Sequence, residues 1–308
     1  MTLLYKSSAQ RGCVWKELFA QEAPDIEFRL WPDAGNPADV RYLAAWEPPA
    51  ELISTFPNLE VLFSVGAGVD QFDLSQVPRQ VQVVRMIEPL LTQGMAEYVA
   101  LATLALHRNL IDYVDAQRER RWTPIELVPA AERRVSVMGL GTMGRAAIEA
   151  LRPFGFQLAG WSRSKRTIAD VECFAGADSL DAFLGRSDIL ICLLPLTPET
   201  SGILRRETFE KLPSGARLIN AARGAHLVEQ DLLHALASGQ ISGAILDVLA
   251  QEPPPADHPF WNHPRILITP HMASNTSAES GGRALLDNVL RHERGEPMMG
   301  VVQRELGY

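Results

Sequence analysis

The chain has 308 residues, enough for two domains at about 150 residues each. Its 37 acidic and 29 basic residues leave a formal charge of -8, which argues against a nucleic-acid-binding surface, and its 46% hydrophobic and 21% charged content is that of an ordinary globular protein. Cys13, Cys173 and Cys192 form no C-x-x-C pair and no regular framework, so neither disulfides nor a structural metal is expected, and a reducing, cytoplasmic setting is the simplest reading.

In chain order, the first apolar stretch ends at Lys6, too soon for a signal peptide. Short apolar runs at residues 3–5, 26–30, 40–44, 61–64 and 81–84 predict strands, with helical patterns between some of them, which suggests a small parallel α/β unit. Residues 93–117 carry one long Ala- and Leu-rich pattern, Met-Ala-Glu-Tyr-Val-Ala-Leu-Ala-Thr-Leu-Ala-Leu within it. It predicts a single helix, apolar on more than one face, buried at a domain junction. No uninterrupted apolar run reaches the ~18 residues of a membrane span.

A second α/β unit is expected from residue 134. Strands are predicted at 135–138, 158–161, 189–194, 217–221, 244–248 and 266–269, and helices at 142–151, with Gly155 as its cap, and 229–237. A last helix is expected at 280–293, returning to the first unit. The fold class is therefore α/β with two doubly wound parallel sheets. The expected division is 1–95 with 281–308 against 96–280.

The strand at 135–138 runs into Gly-Leu-Gly-Thr-Met-Gly: Gly139, Gly141, Thr142, Met143 and Gly144. The first glycine permits a tight turn, the second lets a pyrophosphate approach, and the third lets helix and strand pack closely. The helix N-terminus then offers free N–H groups to phosphates. A packing turn without nucleotide is the alternative. An NAD site commonly carries a carboxylate roughly 20 residues later. Here that place holds Ser162, Arg163 and Ser164, followed by Lys165 and Arg166. A carboxylate would repel a 2′-phosphate, whereas arginine can bind one in a bidentate manner, so NADP(H) is preferred and NAD(H) remains possible.

Three strand runs end in reactive residues: one in Arg223, one in Asp247 with Glu252 beyond, and one in His271. Ligands of open α/β sheets bind outside the carboxyl ends of the strands. Reduction of a 2-oxo acid needs a cation for the carboxylate and a proton donor for the ketone oxygen, while the cofactor supplies hydride. Arg223 has the planar fork for the first task, His271 the titratable ring for the second, and Glu252 could hold that ring charged and oriented. Arg223 could instead close a loop by bonding carbonyls, Glu252 could be an exposed turn carboxylate, and His271 could be a cap. The other histidines, His107, His226, His234, His258, His263 and His292, read as surface or helix residues, and none forms a H-x-x-x-H metal pair.

Gly-Leu-Gly-Thr-Met-Gly, Leu-Leu-Pro-Leu-Thr-Pro-Glu-Thr, Asn-Ala-Ala-Arg-Gly, Leu-Asp-Val-Leu-Ala-Gln-Glu-Pro and Thr-Pro-His occur in that order. Together they resemble the D-isomer-specific 2-hydroxyacid dehydrogenase family, over nearly the whole chain. Trp161-Ser-Arg-Ser164, Phe260-Trp-Asn-His-Pro264 and the terminal Gly307-Tyr308 are similar to its glyoxylate/hydroxypyruvate reductase A branch. The resemblance implies a Rossmann cofactor domain and a smaller flavodoxin-like substrate domain, with Arg223, Glu252 and His271 catalytic. It further implies a substrate loop at Val65-Gly-Ala-Gly-Val-Asp70, whose Ala67 and Gly68 amides bind carboxylate, a pocket wall at Trp46, and Leu194, Pro195, Ala221 and Asp247 along the cofactor. A homodimer and a cleft that closes on a small 2-oxo acid are also implied, while the charge balance and the length of the apolar runs lead to an expectation of no nucleic-acid or membrane partner. A bulkier 2-oxo acid, or a non-catalytic dinucleotide-sensing protein, would fit the same fold.

Overall fold

Alternating apolar residues in the first unit place two sets of side chains on opposite faces of one sheet. The structure, a computed structural model, describes residues 1–49 and 51–307; Tyr308 of the terminal Gly-Tyr pair lies outside them. Strands β1 (Thr2–Lys6), β2 (Glu27–Leu30), β3 (Val40–Ala45), β4 (Val61–Ser64) and β5 (Gln82–Val84) pair in parallel in the order β2-β1-β3-β4-β5, the flavodoxin-like order. Leu4, Leu43 and Leu62 share one core with Phe56, Phe72 and Val302. Their chain neighbours Tyr5, Tyr42 and Phe63 face the other way, where Trp15 of the Ala9–Glu22 helix meets Tyr5 edge-on at 5.0 Å. The Ala278–Glu293 helix belongs to the same unit, its first carbonyl accepting from Trp15 Nε1 at 2.5 Å.

The chain divides at other points than 95/96 and 280/281. One unit is Met1–Leu91 with Asn275–Tyr308, and the other is Thr92–Ser274. The long helical pattern also differs from its expectation. It forms two helices, Pro89–His107 and Leu110–Arg118, because Asn109 turns the chain in the left-handed region at φ 57°. Asparagine tolerates that conformation. Nor is the first helix buried all round: Val99, Ala102 and Leu106 are internal, but Leu101 is 65% exposed.

The second unit holds seven parallel strands: β6 (Arg134–Met138), β7 (Gln157–Ser162), β8 (Glu172–Ala175), β9 (Ile189–Cys192), β10 (Ala216–Asn220), β11 (Ile241–Leu246) and β12 (Ile266–Ile268). Their order is β12-β11-β10-β9-β6-β7-β8. Alternate residues go to opposite cores, Ile189 and Ile191 to one, Leu190 and Cys192 to the other. Helices cover both faces, which is why these strands read as continuous apolar runs rather than as alternating ones. The edge strand β8 escaped the sequence reading, since Glu-Cys-Phe-Ala is only four residues long and opens on a charged residue; its pairing to β7 supplies what its composition lacks. The strand order reverses at β6, and the glycine loop follows β6 directly. Among the described residues, no helix is long and apolar enough to cross a membrane.

Candidate active site

The glycine loop is shaped as its sequence requires. Gly139 turns at φ 102°, and a Cβ there would lie 2.6 Å from the Leu193 carbonyl oxygen. A Cβ on Gly144 would lie 1.8 Å from the Gly139 oxygen, so only glycine lets the Thr142–Leu151 helix start this close to β6. Gly141 differs: a Cβ there meets no atom within 4 Å. Thr142 and Met143 open the helix. This is a loop with room on one side and a helix N-terminus behind it, which fits a dinucleotide pyrophosphate.

At the end of β7, Ser162 Oγ donates to the Ser164 carbonyl at 2.8 Å, and Arg163, Lys165 and Arg166 are exposed. No carboxylate stands in that stretch. The nearby Glu199 carboxyl is held below its ordinary range, first by the Thr197 hydroxyl and in smaller part by the Arg163 charge. Leu194 and Pro195 follow β9, and Ala221 follows β10, with its N–H donating to the Cys192 carbonyl at 3.3 Å.

β10, β11 and β12 are neighbours, in register at Asn220, Leu246 and Ile268. Their carboxyl ends therefore emerge side by side. Beyond β10, Asn220 shapes the turn: its Oδ1 accepts the Ala222 N–H at 3.2 Å and its Nδ2 donates to the Arg223 carbonyl at 3.0 Å. Arg223 Nη1 donates to the Ala222 carbonyl at 2.7 Å. Gly224 lies against the next loop so tightly that a Cβ would sit 1.9 Å from the Leu249 carbonyl carbon and oxygen. Beyond β11, Glu252 accepts the Leu249 N–H through Oε1 at 3.0 Å. Its Oε2 lies 2.6 Å from His271 Nδ1, and the two side chains are 36% and 37% exposed.

His271 sits at φ 51°, an unusual conformation for a residue with a Cβ. Its N–H donates to the carbonyls of Asp247 at 2.8 Å and Thr269 at 3.0 Å. The Asp247 carboxylate is 2% exposed and takes three donors: Thr269 Oγ1 at 2.6 Å, Met272 N–H at 2.9 Å and Ala273 N–H at 2.8 Å. Tyr98 OH lies 2.7 Å from Thr269 Oγ1. Asp247 thus serves as an internal anchor for the segment that carries His271. Sequence reasoning missed this use, and Tyr98 and Thr269 with it.

Two histidines read as surface or helix residues are buried. His107 is 5% exposed, edge-on to Phe156 at 5.0 Å. His226 is fully buried, with Nδ1 3.2 Å from the Arg223 N–H and Nε2 3.3 Å from the Pro195 carbonyl. The available signal was its place three residues after Arg223, where a turn's side chain can bond back. Among the described residues, no group of three His, Cys, Asp or Glu could hold a metal ion.

Trp46, Ala67 and Gly68 lie in the first unit. Ser64 Oγ accepts the Gly66 N–H at 3.2 Å and can donate to the Gly68 carbonyl at 2.7 Å, which curls the loop after β4. Trp46 covers Gly66, where a Cβ would lie 2.9 Å from the indole, and remains 39% exposed.

Residues 100–273 match the family model described as D-isomer specific 2-hydroxyacid dehydrogenase, NAD binding domain. The chain is 40% identical over 302 residues to glyoxylate/hydroxypyruvate reductase A of Serratia proteamaculans, and 37% identical to that of Klebsiella pneumoniae, with 96% of each chain covered in both cases. A D-isomer specific 2-hydroxyacid dehydrogenase from Xanthobacter autotrophicus, crystallised with NADPH and MES, superposes with a TM-score of 0.94 at 38% identity, covering 100% of this chain and 99% of that one. The NADPH-dependent glyoxylate/hydroxypyruvate reductase of Sinorhizobium meliloti, crystallised with NADP and sulfate, gives 0.91 at 34% identity with the same coverage. The glycine loop, the adjacent ends of β10 to β12 and these similarities lead to one assignment: the chain is an oxidoreductase and belongs to the D-isomer specific 2-hydroxyacid dehydrogenase family.

Proposed function

We propose that the protein reduces small 2-oxo acids, glyoxylate and hydroxypyruvate foremost, to 2-hydroxy acids with NADPH in preference to NADH. The observation that carries this reading is the 2.6 Å contact of Glu252 with His271, at a strand end beside the one that delivers Arg223. Arg223 binds the substrate carboxylate and carbonyl oxygens through its planar fork. His271 gives a proton from Nε2 to the ketone oxygen, because Nδ1 is committed to Glu252. Glu252 orients the ring through that contact. NADPH supplies the hydride when bound, held by Gly139, Gly141, Thr142, Met143 and Gly144 at the phosphates, by Ser162, Arg163 and Ser164 at the ribose phosphate, and lined by Leu194, Pro195, Ala221 and Asp247. Within the first unit, the resemblance gives the Ala67 and Gly68 amides to a carboxylate and Trp46 to a pocket wall. The relatives from Serratia and Sinorhizobium, a glyoxylate/hydroxypyruvate reductase A and an NADPH-dependent glyoxylate/hydroxypyruvate reductase, support both the substrate class and the cofactor. Residues 1–91 with 275–308 then act as the substrate domain and 92–274 as the cofactor domain.

A homodimer accompanies this reading. Leu101, Leu110, Tyr113, Val114, Trp122, Ile125 and Leu127 are exposed within a short span of the second unit, Trp122 at 99%. The Tyr113 hydroxyl accepts the Ile125 N–H at 3.0 Å, which holds the extended segment beside the helix. An apolar surface of this kind is commonly covered by a partner, here a second copy. The test is the rate of NADPH and NADH oxidation with glyoxylate, hydroxypyruvate, pyruvate and phenylpyruvate, together with the sedimentation mass. Highest kcat/KM with the two small acids and NADPH is expected. Turnover confined to the bulky acid, or tight NADPH binding with no turnover of any of them, would overturn it.

A further inference from the structure

The His226 ring is gripped from two sides. Nδ1 lies 3.2 Å from the Arg223 N–H and Nε2 lies 3.3 Å from the Pro195 carbonyl oxygen, in a place with no exposure to water. One neutral tautomer satisfies both contacts: a bare Nδ1 accepts from Arg223, and an Nε2–H donates to Pro195. The other tautomer would aim an Nδ1–H at the Arg223 carbonyl, 3.2 Å away, and set an Nε2 lone pair against the Pro195 oxygen. The Arg223 carbonyl already accepts from Asn220 Nδ2 at 3.0 Å. The first tautomer is therefore the one the surroundings select.

The flanking main chain does not depend on this ring. The Leu204 N–H donates to the His226 carbonyl at 2.8 Å, the Gly202 N–H donates to the Ala225 carbonyl at 2.9 Å, and Leu204 pairs with Leu227. What the imidazole adds is a hold on the main chain of Arg223 at the point where its side chain departs. An arginine is a long lever, so a small rotation at its Cα becomes a large displacement of the guanidinium. Displacements of about 1 Å in a positioning group can cost on the order of 100-fold in rate.

We propose that His226 is a positioning residue for Arg223, fixing the arginine's main chain through Nδ1 while Nε2 ties the turn to Pro195. This rests on the assignment of Arg223 as the substrate clamp. The experiment uses the full-length enzyme with NADPH and glyoxylate, and Arg223→Gln is measured first. If the wild type shows no glyoxylate-dependent turnover, or Arg223→Gln keeps it, the parent assignment fails and this proposal falls with it. Given a functional Arg223, His226→Leu is expected to lower kcat/KM for glyoxylate roughly 10- to 100-fold, as for a positioning group displaced by about 1 Å, while KM for NADPH stays within about threefold. His226→Asn places an amide oxygen near the position of Nδ1 and should recover most of the loss. His226→Gln places an amide nitrogen near that of Nε2 and should not. Near-wild-type kinetics in His226→Leu would reduce the ring to packing and overturn the proposal. Rescue by glutamine and not by asparagine would transfer the role to Pro195 and overturn it equally. Should His226→Leu fail to fold, the asparagine and glutamine pair still decides, since each keeps one polar half of the imidazole.

Discussion

Replacing Glu252 with glutamine tests the acid–imidazole pair at almost no cost in shape. Glu252 Oε1 accepts the Leu249 N–H at 3.0 Å and Oε2 meets His271 Nδ1 at 2.6 Å. Glutamine can keep the first bond only by putting its amide oxygen there, which turns its NH2 group toward Nδ1. An imidazolium also carries a hydrogen on Nδ1, so two donors then face each other. The variant loses a charge-assisted bond in the state that donates the proton, yet can still bond the neutral ring. A hydrogen bond to a charged group contributes about 1.5–3 kcal/mol. Because the two side chains are 36% and 37% exposed, water screens the pair and the lower end of that range applies. A loss of ~1.5–2 kcal/mol corresponds to roughly 10- to 30-fold in turnover. The assay is single-turnover reduction of glyoxylate by bound NADPH near neutral pH, with NADPH affinity measured separately by fluorescence and expected to be unchanged. Turnover within about twofold of wild type would refute the role given to Glu252, since a positioned acid is worth at least about 100-fold in full.

Arg163→Asp should move the kcat/KM preference from NADPH toward NADH, because a carboxylate at the end of β7 repels a 2′-phosphate and suits a 2′-hydroxyl; an unchanged ratio for the two cofactors rejects that role. Gly224→Ala drives a Cβ to 1.9 Å from the Leu249 carbonyl, a main-chain atom that cannot step aside alone. The variant should lose about 1–3 kcal/mol of stability by denaturant melts, and glyoxylate kcat/KM should fall with it because the displaced loop carries Glu252; normal values of both would show that the close approach is not required. His107 has its pKa lowered, first by burial and then by the charges of Arg133, Arg108 and Arg217. The unfolded chain therefore takes up this proton before the folded one does, and stability drops as pH falls through the ordinary histidine range. In His107→Leu that part of the acid sensitivity should vanish, read as a flatter stability profile between about pH 7.5 and about pH 5.5; an identical slope counts against it.

What the sequence revealed follows from which forces act locally. The glycine spacing, the apolar runs and the polar residues just beyond them are each consequences of short-range chemistry, so β6 and its loop, and the presence of β10, β11 and β12, could be read directly. The break at Asn109 could not, because its neighbours on both sides favour helix and one left-handed residue is invisible to periodicity. Edge strand β8 owes its state to pairing with β7, a long-range effect. The burial of His226 was harder to read: its place three residues after Arg223 allows a bond back to the turn, but histidine occurs on surfaces as readily as inside. Its partners, Arg223 and Pro195, come from two different strand ends that only the sheet order brings together.

The same logic explains how His271 holds an unfavourable backbone angle. A positive φ costs such a residue on the order of 1–3 kcal/mol and persists only where its surroundings over-determine it. Here they do. The Asp247 carbonyl takes the His271 N–H, and the Asp247 carboxylate takes the two amides that follow and the Thr269 hydroxyl. With its hydrogen given to Asp247, Thr269 Oγ1 can only accept from Tyr98, so the phenol must donate. Burial pushes the Tyr98 hydroxyl up to about 12, which keeps that hydrogen in place throughout the neutral range. The hydrogens thus run one way, from the Tyr98 hydroxyl to Thr269 Oγ1 and from the Thr269 hydroxyl to the Asp247 carboxylate, and this series holds the segment that turns His271 toward Glu252.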